Sequence, residues 1–259
     1  MRTLKFAYDL RLDFARPVRR HAFQLRCLPR ERGGQRIRQL QCRILPDVPV
    51  STGTDGFGNT VCFGMAEKEH TSFSVSVSGI AELDTPALPD SELNAARYRM
   101  QTEFTKPGKA IRALYDKAQK SGDPMTRALS LMRMVRAEVA YVPASTTIAT
   151  TAEQAAEQKC GVCQDHTQIM LSLLRMDGIP ARYAAGLLLG EGRTHAWAEA
   201  WIDGKWVGLD ATNGMVVKDT HIMIAAGRDH ADCDLNRGVM LGFGGQTQTV
   251  HVSVREYET

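Results

Sequence analysis

At 259 residues the chain is long enough to bury a sizeable core, and 43% hydrophobic with 24% charged residues excludes a disordered or fibrous polymer. A formal net charge of +3 is too small to argue for a nucleic-acid partner, and the one basic cluster, ARPVRRHAFQLR, reads as a solvated strand edge and turn. No apolar run reaches membrane-spanning length, and the opening MRTLKFAYDLRLDFARPVRR mixes charge with apolar residues where a secretory leader needs an apolar block; a soluble, cytoplasmic protein with reduced cysteines and no membrane partner is expected.

The first 83 residues read as β structure. Short runs such as KFAYDLRLDF, RIRQLQCRIL, TVCFGMA and TSFSVSVSGI are separated by Gly, Pro and Asp turn signals, and SFSVSVSG alternates cleanly, as a strand with one wet face does. An N-terminal antiparallel sheet or small sandwich over 1–83 is expected. Residues 84–107 carry three prolines among polar residues and read as a linker with at most a short helix starting near Ser91. From 108 to the end the period changes. DPMTRALSLMRMVRAEV has Asp123 as N-cap, Pro124 at the first helical position and apolar residues at helical spacing. A loop, PASTTIATTAEQAAEQK, then leads to two cysteines three residues apart.

Val162, His166, Ile169, Met170, Leu173 and Leu174 form one helical stripe that ends at Gly178 and Pro180. Cys163 therefore occupies the first turn of a buried helix, where unpaired N–H groups and the positive end of the dipole favour an anion and could receive an oxyanion. Cys160 and Cys163 could instead be a redox pair. That motif should follow a strand at the start of a compact α/β unit, whereas here a loop and a helical layer precede it. Zinc would need two further ligands at comparable spacing, and the sequence has no second C-x-x-C or H-x₃-H. Asp165 reads as a first-turn carboxylate and His166 as part of the buried stripe; Cys27, Cys42, Cys62 and Cys233 read as small packing residues.

After the helix, ARYAAGLLLGEGRTHAWAEAWIDGKWVGLDATNG reads as a strand, a loop and a hairpin turning at Asp203-Gly204. A two-residue turn pairs Ile202 with Lys205. Counting back sets Trp201 opposite Trp206, Trp197 opposite Asp210 and His195 opposite Thr212. Opposed residues share a face, so His195 and Asp210 become diagonal neighbours, a base and its orienter; a slip of one residue would part them. Trp197, Trp201 and Trp206 fall on that face too. Trp197 and Gln164 are candidates to line a cleft.

GVCQDHTQIMLSLLRMDGIPARY, THAWAEAW and WVGLDATNG resemble the Cys, His and Asp boxes of the transglutaminase-like superfamily, in order and in approximate spacing. The downstream HIMIAAGRDHADCDLNRGV and the N-terminal YDLRLDFARPVRRHAFQLRCLPRERGGQRI and DGFGNTV resemble its two-part bacterial branch, described as cysteine proteases. The resemblance implies an α+β protein whose papain-like core packs a cysteine helix on an antiparallel sheet. It implies Cys163 as nucleophile, His195 as general base and acid, and Asp210 as orienting carboxylate. Oxyanion donors would be the Cys163 backbone N–H and an upstream side chain, for which Tyr141 is the candidate. No metal and no cofactor is implied, and the absence of acidic calcium-binding loops leans towards hydrolysis of a peptide, protein or small amide rather than crosslinking. Cys160 departs from the family pattern and could be a redox partner of Cys163. A different class of reading makes the N-terminal β domain a binding module; an intact Cys, His and Asp set argues against it.

Overall fold

Alternation decides the first layer. Residues 1–29, 31–84, 88–89, 92–242 and 244–258 are described by the computed structural model. It begins with β1 (Arg2–Leu25), β2 (Gln35–Leu45), β3 (Val50–Thr54), β4 (Thr60–Ala66) and β5 (His70–Leu83). In β1, Leu4, Phe6, Tyr8, Leu10, Leu12 and Phe14 are buried while Lys5, Asp9, Arg11 and Asp13 are exposed, the period-2 pattern of a strand with one wet face. The register of β1 with β5 shifts after Asp13, and Arg20 adopts a left-handed φ of 47°. One strand thus carries two successive ladders of one sheet. Its first half pairs with β5, Leu4 opposite Ala81, and its second half with β4, Phe23 opposite Gly64. A Cβ on Gly64 would lie 2.3 Å from the Phe23 ring, so glycine is what allows that crossing.

A helical layer follows the short strand β6 (Leu88–Pro89): α1 (Glu92–Ala96), α2 (Lys109–Lys117) and α3 (Pro124–Glu138). Asp123 caps α3 as expected, accepting from the Thr126 N–H at 2.9 Å. Of the expected linker 84–107, only part is described; Ser91, where its helix was expected to start, lies outside the described residues. After β7 (Ala140–Tyr141), the stretch expected to be a loop contains α4 (Ala152–Gln158). Its start signal is the capping box of Thr151 and Gln154, a pattern present in the sequence. Glu153 reaches from α4 to accept backbone N–H groups of Gly108, Ala110 and Ile111, which caps α2.

Next come β8 (Cys160–Gly161), α5 (Cys163–Met176), β9 (Ala181–Leu188), β10 (Gly190–Gly192), β11 (His195–Ile202), β12 (Lys205–Asp210), β13 (Met215–Val216) and β14 (His221–Gly227). The second sheet runs β13-β12-β11-β9-β14, with neighbouring strands antiparallel. α5 packs on β11 and β9, where Ala181, Ala185, Ala196, Ala198 and Ala200 share one core with Ile169, Met170, Leu173 and Leu174. Small residues on the strands let the helix lie close.

β15 (Asn236–Leu241) and β16 (Gln246–Glu256) return to β1, with Leu4 opposite Glu256 and Phe23 opposite Gly238. Residues 108–259, expected to form one core, therefore lend their last strands to the sheet of the first 83. A strand alternating for one wet face needs a partner, and sequence does not say which edge will supply it. The outer edge of β14 is covered by the N-terminal unit. Gln35 holds both backbone groups of Met223 at 2.8 Å, and Asn59 holds both of Ala226 at 2.8 Å. Among the described residues no helix is long and apolar enough to cross a membrane.

Candidate active site

Cys163 is the first residue of α5 and is half-buried. The helix start is built by Asp165, whose carboxylate accepts the Val162 N–H at 2.7 Å and the Thr146 hydroxyl at 2.6 Å. Gly161 makes room for it, since a Cβ there would lie 2.6 Å from that of Asp165. The Asp165 and His166 N–H groups close on the Val162 carbonyl, which leaves the N–H groups of Cys163 and Gln164 ahead of the first helical turn.

The hairpin places the second element. Asp203 and Gly204 both have positive φ, 49° and 75°, as a two-residue turn of the primed kind demands. Ile202 pairs with Lys205 and Trp201 with Trp206, the register expected. His195 begins β11 and Asp210 ends β12, with His195 Nε2 2.8 Å from Asp210 Oδ2. A carboxylate only accepts, so Nε2 donates and Nδ1 is the nitrogen left over. Cys163 is near enough to the His195 ring to act on its charge. Burial opposes charge on that ring, but the bond to Asp210 and the neighbouring Cys163 outweigh it and raise the pKa from 6.5 to about 9. Burial likewise opposes charge on Asp210, yet hydrogen bonds from His195, His221 and Asn213 hold its carboxyl well below the usual range.

Asp210 is fully buried and receives more than one donor. Asn213 gives its backbone N–H to Oδ1 at 3.0 Å and its amide to Oδ2 at 2.7 Å, and His221 Nε2 reaches Oδ2 at 3.2 Å. The sequence reading missed both. Asn213 was legible as the side chain of a turn three residues after an aspartate, whereas His221 is one polar residue in an apolar strand two sheet positions from β11. His166 is buried as expected, and its Nδ1 meets Thr212 Oγ1 at 3.1 Å, which ties α5 to the turn after Asp210.

Tyr141 packs on the helix that begins at Cys163. Its ring meets His166 edge-on at 6.2 Å, and burial followed by the neighbouring Cys163 charge raises its pKa. Gln164 is half-buried in the first helical turn. Trp197 is not in an open cleft: 1% exposed, it stacks behind His195 at 6.4 Å and borders a cavity of about 310 Å³ with Glu199, Val217, His221 and Met223. Trp206 borders the same cavity, while Trp201 packs against Trp206. Cys160 and Cys163 are both free thiols, and the backbone of Cys160 pairs with that of Ala140 on β7. Arg228 and Asp232 form an ion pair, and Asp229 caps the turn that follows.

The ligand atoms of His195, Asp210 and His221 lie within 4.8 Å of one another, a spacing a metal ion could span. Both imidazoles already direct Nε2 at the carboxylate, and each would have to surrender that proton to a metal.

A half-buried thiol at a helix start thus lies near an imidazole that is hydrogen-bonded to a buried carboxylate. Residues 111–211 match the model of the transglutaminase-like superfamily, and residues 4–82 match that of the bacterial transglutaminase-like N-terminal region. The chain belongs to the transglutaminase-like superfamily. The fold is shared with a crystal structure described as a "Putative Cysteine Protease" from Cytophaga hutchinsonii, with a TM-score of 0.85 at 22% identity over 100% of this chain and 91% of that one. An uncharacterized protein of Mycobacterium leprae (strain TN) is 26% identical over 253 residues, 89% of this chain and 90% of the relative. An uncharacterized protein of Mycobacterium tuberculosis (strain ATCC 25618 / H37Rv) is 29% identical over 227 residues, 73% of this chain and 72% of the relative.

Proposed function

We propose that this protein is a thiol-dependent amide or peptide hydrolase working through a Cys163 acyl-enzyme. One observation carries the reading: His195 Nε2 lies 2.8 Å from Oδ2 of the buried Asp210, on a ring whose charge the neighbouring Cys163 also favours. Asp210 fixes the tautomer that leaves Nδ1 to take the thiol proton, and stabilises the imidazolium that results. Sulfur then attacks the amide carbonyl. The N–H groups of Cys163 and Gln164, aided by the Tyr141 hydroxyl, receive the oxyanion, and the His195 proton passes to the leaving amine. Water, deprotonated by His195, hydrolyses the thioester and frees the thiol.

The test is the pH dependence of iodoacetamide labelling with assignment by peptide mass, on the parent and on His195→Ala. Fast labelling of Cys163 near pH 6 that collapses in the variant is expected. Labelling that is slow and indifferent to His195 would sink the reading. Peptide amides offered with and without a primary amine then identify the acceptor, and incorporation of the amine would reassign the protein as an acyltransferase.

A further inference from the structure

We propose that His221 is a positioning residue of this site, donating to the same Asp210 oxygen as His195 and so fixing the direction in which that carboxylate faces the His195 ring. The inference rests on the reading of Cys163, His195 and Asp210 as the reacting groups. Asp210 Oδ2 meets His195 Nε2 at 2.8 Å, Asn213 Nδ2 at 2.7 Å and His221 Nε2 at 3.2 Å. Asn213 lies on the turn that Asp210 itself starts, so it moves with the carboxylate. His221 comes from β14 and is the donor that ties the carboxylate to a separate strand.

That strand is held firmly. Gln35 and Asn59 bond its backbone from the outside. On the inside it lies so close to β9 that a Cβ on Gly186 would sit 2.0 Å from the Ile222 carbonyl oxygen. The His221 ring is set by its own contacts: Nδ1 meets Thr220 Oγ1 at 2.9 Å, and Trp197 packs on it edge to face at 5.0 Å. A hydroxyl donating to Nδ1 leaves Nε2 as the protonated nitrogen, the one that faces Asp210.

The charged and titratable groups that face the ring or line its cavity include Asp210 on β12, His195 and Glu199 on β11, Lys218 before β14, and Arg32 and Asp84 of the N-terminal unit. Burial keeps His221 neutral, and a second positive imidazole 5.7 Å from His195 would repel it. The side chain therefore supplies an N–H without supplying a charge. It does so from a scaffold independent of the hairpin that carries both of its neighbours.

Two measurements on the full chain test this. In the parent with ¹⁵N-labelled histidine, the His221 ring is expected to be the Nε2-protonated neutral form at pH 8; an Nδ1-protonated ring overturns the proposal. This measurement does not depend on any reactivity of Cys163. The second compares Cys163 alkylation at pH 6 in His221→Gln, which keeps an N–H, and His221→Phe, which keeps the ring volume. The expected loss is roughly tenfold for Phe and under about threefold for Gln, the difference made by one hydrogen bond to a charged group. Phe equal to or better than Gln would mean that His221 only fills space, and would overturn the proposal. A parent whose Cys163 is unreactive refutes the hydrolase reading instead, while the resonance measurement still decides whether His221 donates to Asp210.

Discussion

Asp210→Asn is the most informative single change, because it keeps the size of the side chain while removing its charge and turning one acceptor oxygen into a donor. Burial by itself would press the His195 ring below its ordinary 6.5, and the bond to Asp210 and the neighbouring Cys163 carry it to about 9 instead. At about 1.36 kcal/mol per pH unit, that rise is worth about 3 kcal/mol in favour of the imidazolium. A pKa raised by folding contributes stability that is complete below the unfolded value, near 6.5, and is lost as pH climbs through about 9. Asp210, held low, contributes stability that is complete above the usual carboxylate range and is lost as pH falls through that range and below it, so the pair contributes fully between that range and about 6.5. Urea unfolding at pH 6 and pH 9 should therefore show a pH-dependent loss in the parent that is smaller in Asp210→Asn by up to about 3 kcal/mol. Titration of ¹³C-labelled histidine should move the His195 midpoint from about 9 to near or below 6.5. A His195 midpoint unchanged by the substitution would refute the argument that Asp210 sets the charge of this ring.

Glu199 is buried between two arginines, with Arg32 at 3.0 Å and Arg182 at 2.6 Å, and Arg32 belongs to the N-terminal unit. Glu199→Gln should cost about 3–5 kcal/mol in urea unfolding, and a loss under about 1 kcal/mol would show that the arginines find other partners. Gly161→Ala must displace Asp165 from the start of α5; a loss of about 1–3 kcal/mol with slower Cys163 labelling is expected, and parent-like behaviour in both would contradict the crowding. Peptide mapping should find Cys42 as the second thiol to label, because it is exposed and the Cys27 hydrogen bond lowers its pKa. His195→Ala should leave that rate alone. Cys27, held high first by its bond to Cys42, and Cys62 and Cys233, held high by burial, should label only on unfolding.

The parts of the site that were legible depend on local rules. A two-residue turn at Asp203-Gly204 admits one register, and that register brought His195 to Asp210 by counting alone. Apolar spacing and Gly178 bounded the helix that begins at Cys163, and Asp123-Pro124 opened the helix before it. What was illegible depends on pairings between distant segments. β14 reads as an apolar strand whichever neighbour it has, so nothing in HIMIAAG places His221 against Asp210. Trp197 was assigned to the correct strand face, but whether that face opens to a cleft depends on Gln35, Arg32 and the loop between them packing over it. Cys42 read as a small core residue because its strand alternates; its place on the outer strand β2 leaves it exposed instead.

The return of β16 to β1 also governs how the chain can be made and cut. β1 is synthesised before every strand it pairs with, and one edge of Leu4–Phe14 waits for Gln246–Glu256. Until then its edge stands open to other chains, a hazard for any strand that waits. Helices and second sheet are in effect spliced between β5 and β15, which pair with different stretches of β1. A scissor cut near residue 83 or 108, where composition invites it, would yield two fragments that each lack half of a ladder. A split that respects the ladder would take the catalytic layer out as an internal loop and leave β1, β15 and β16 together on one piece.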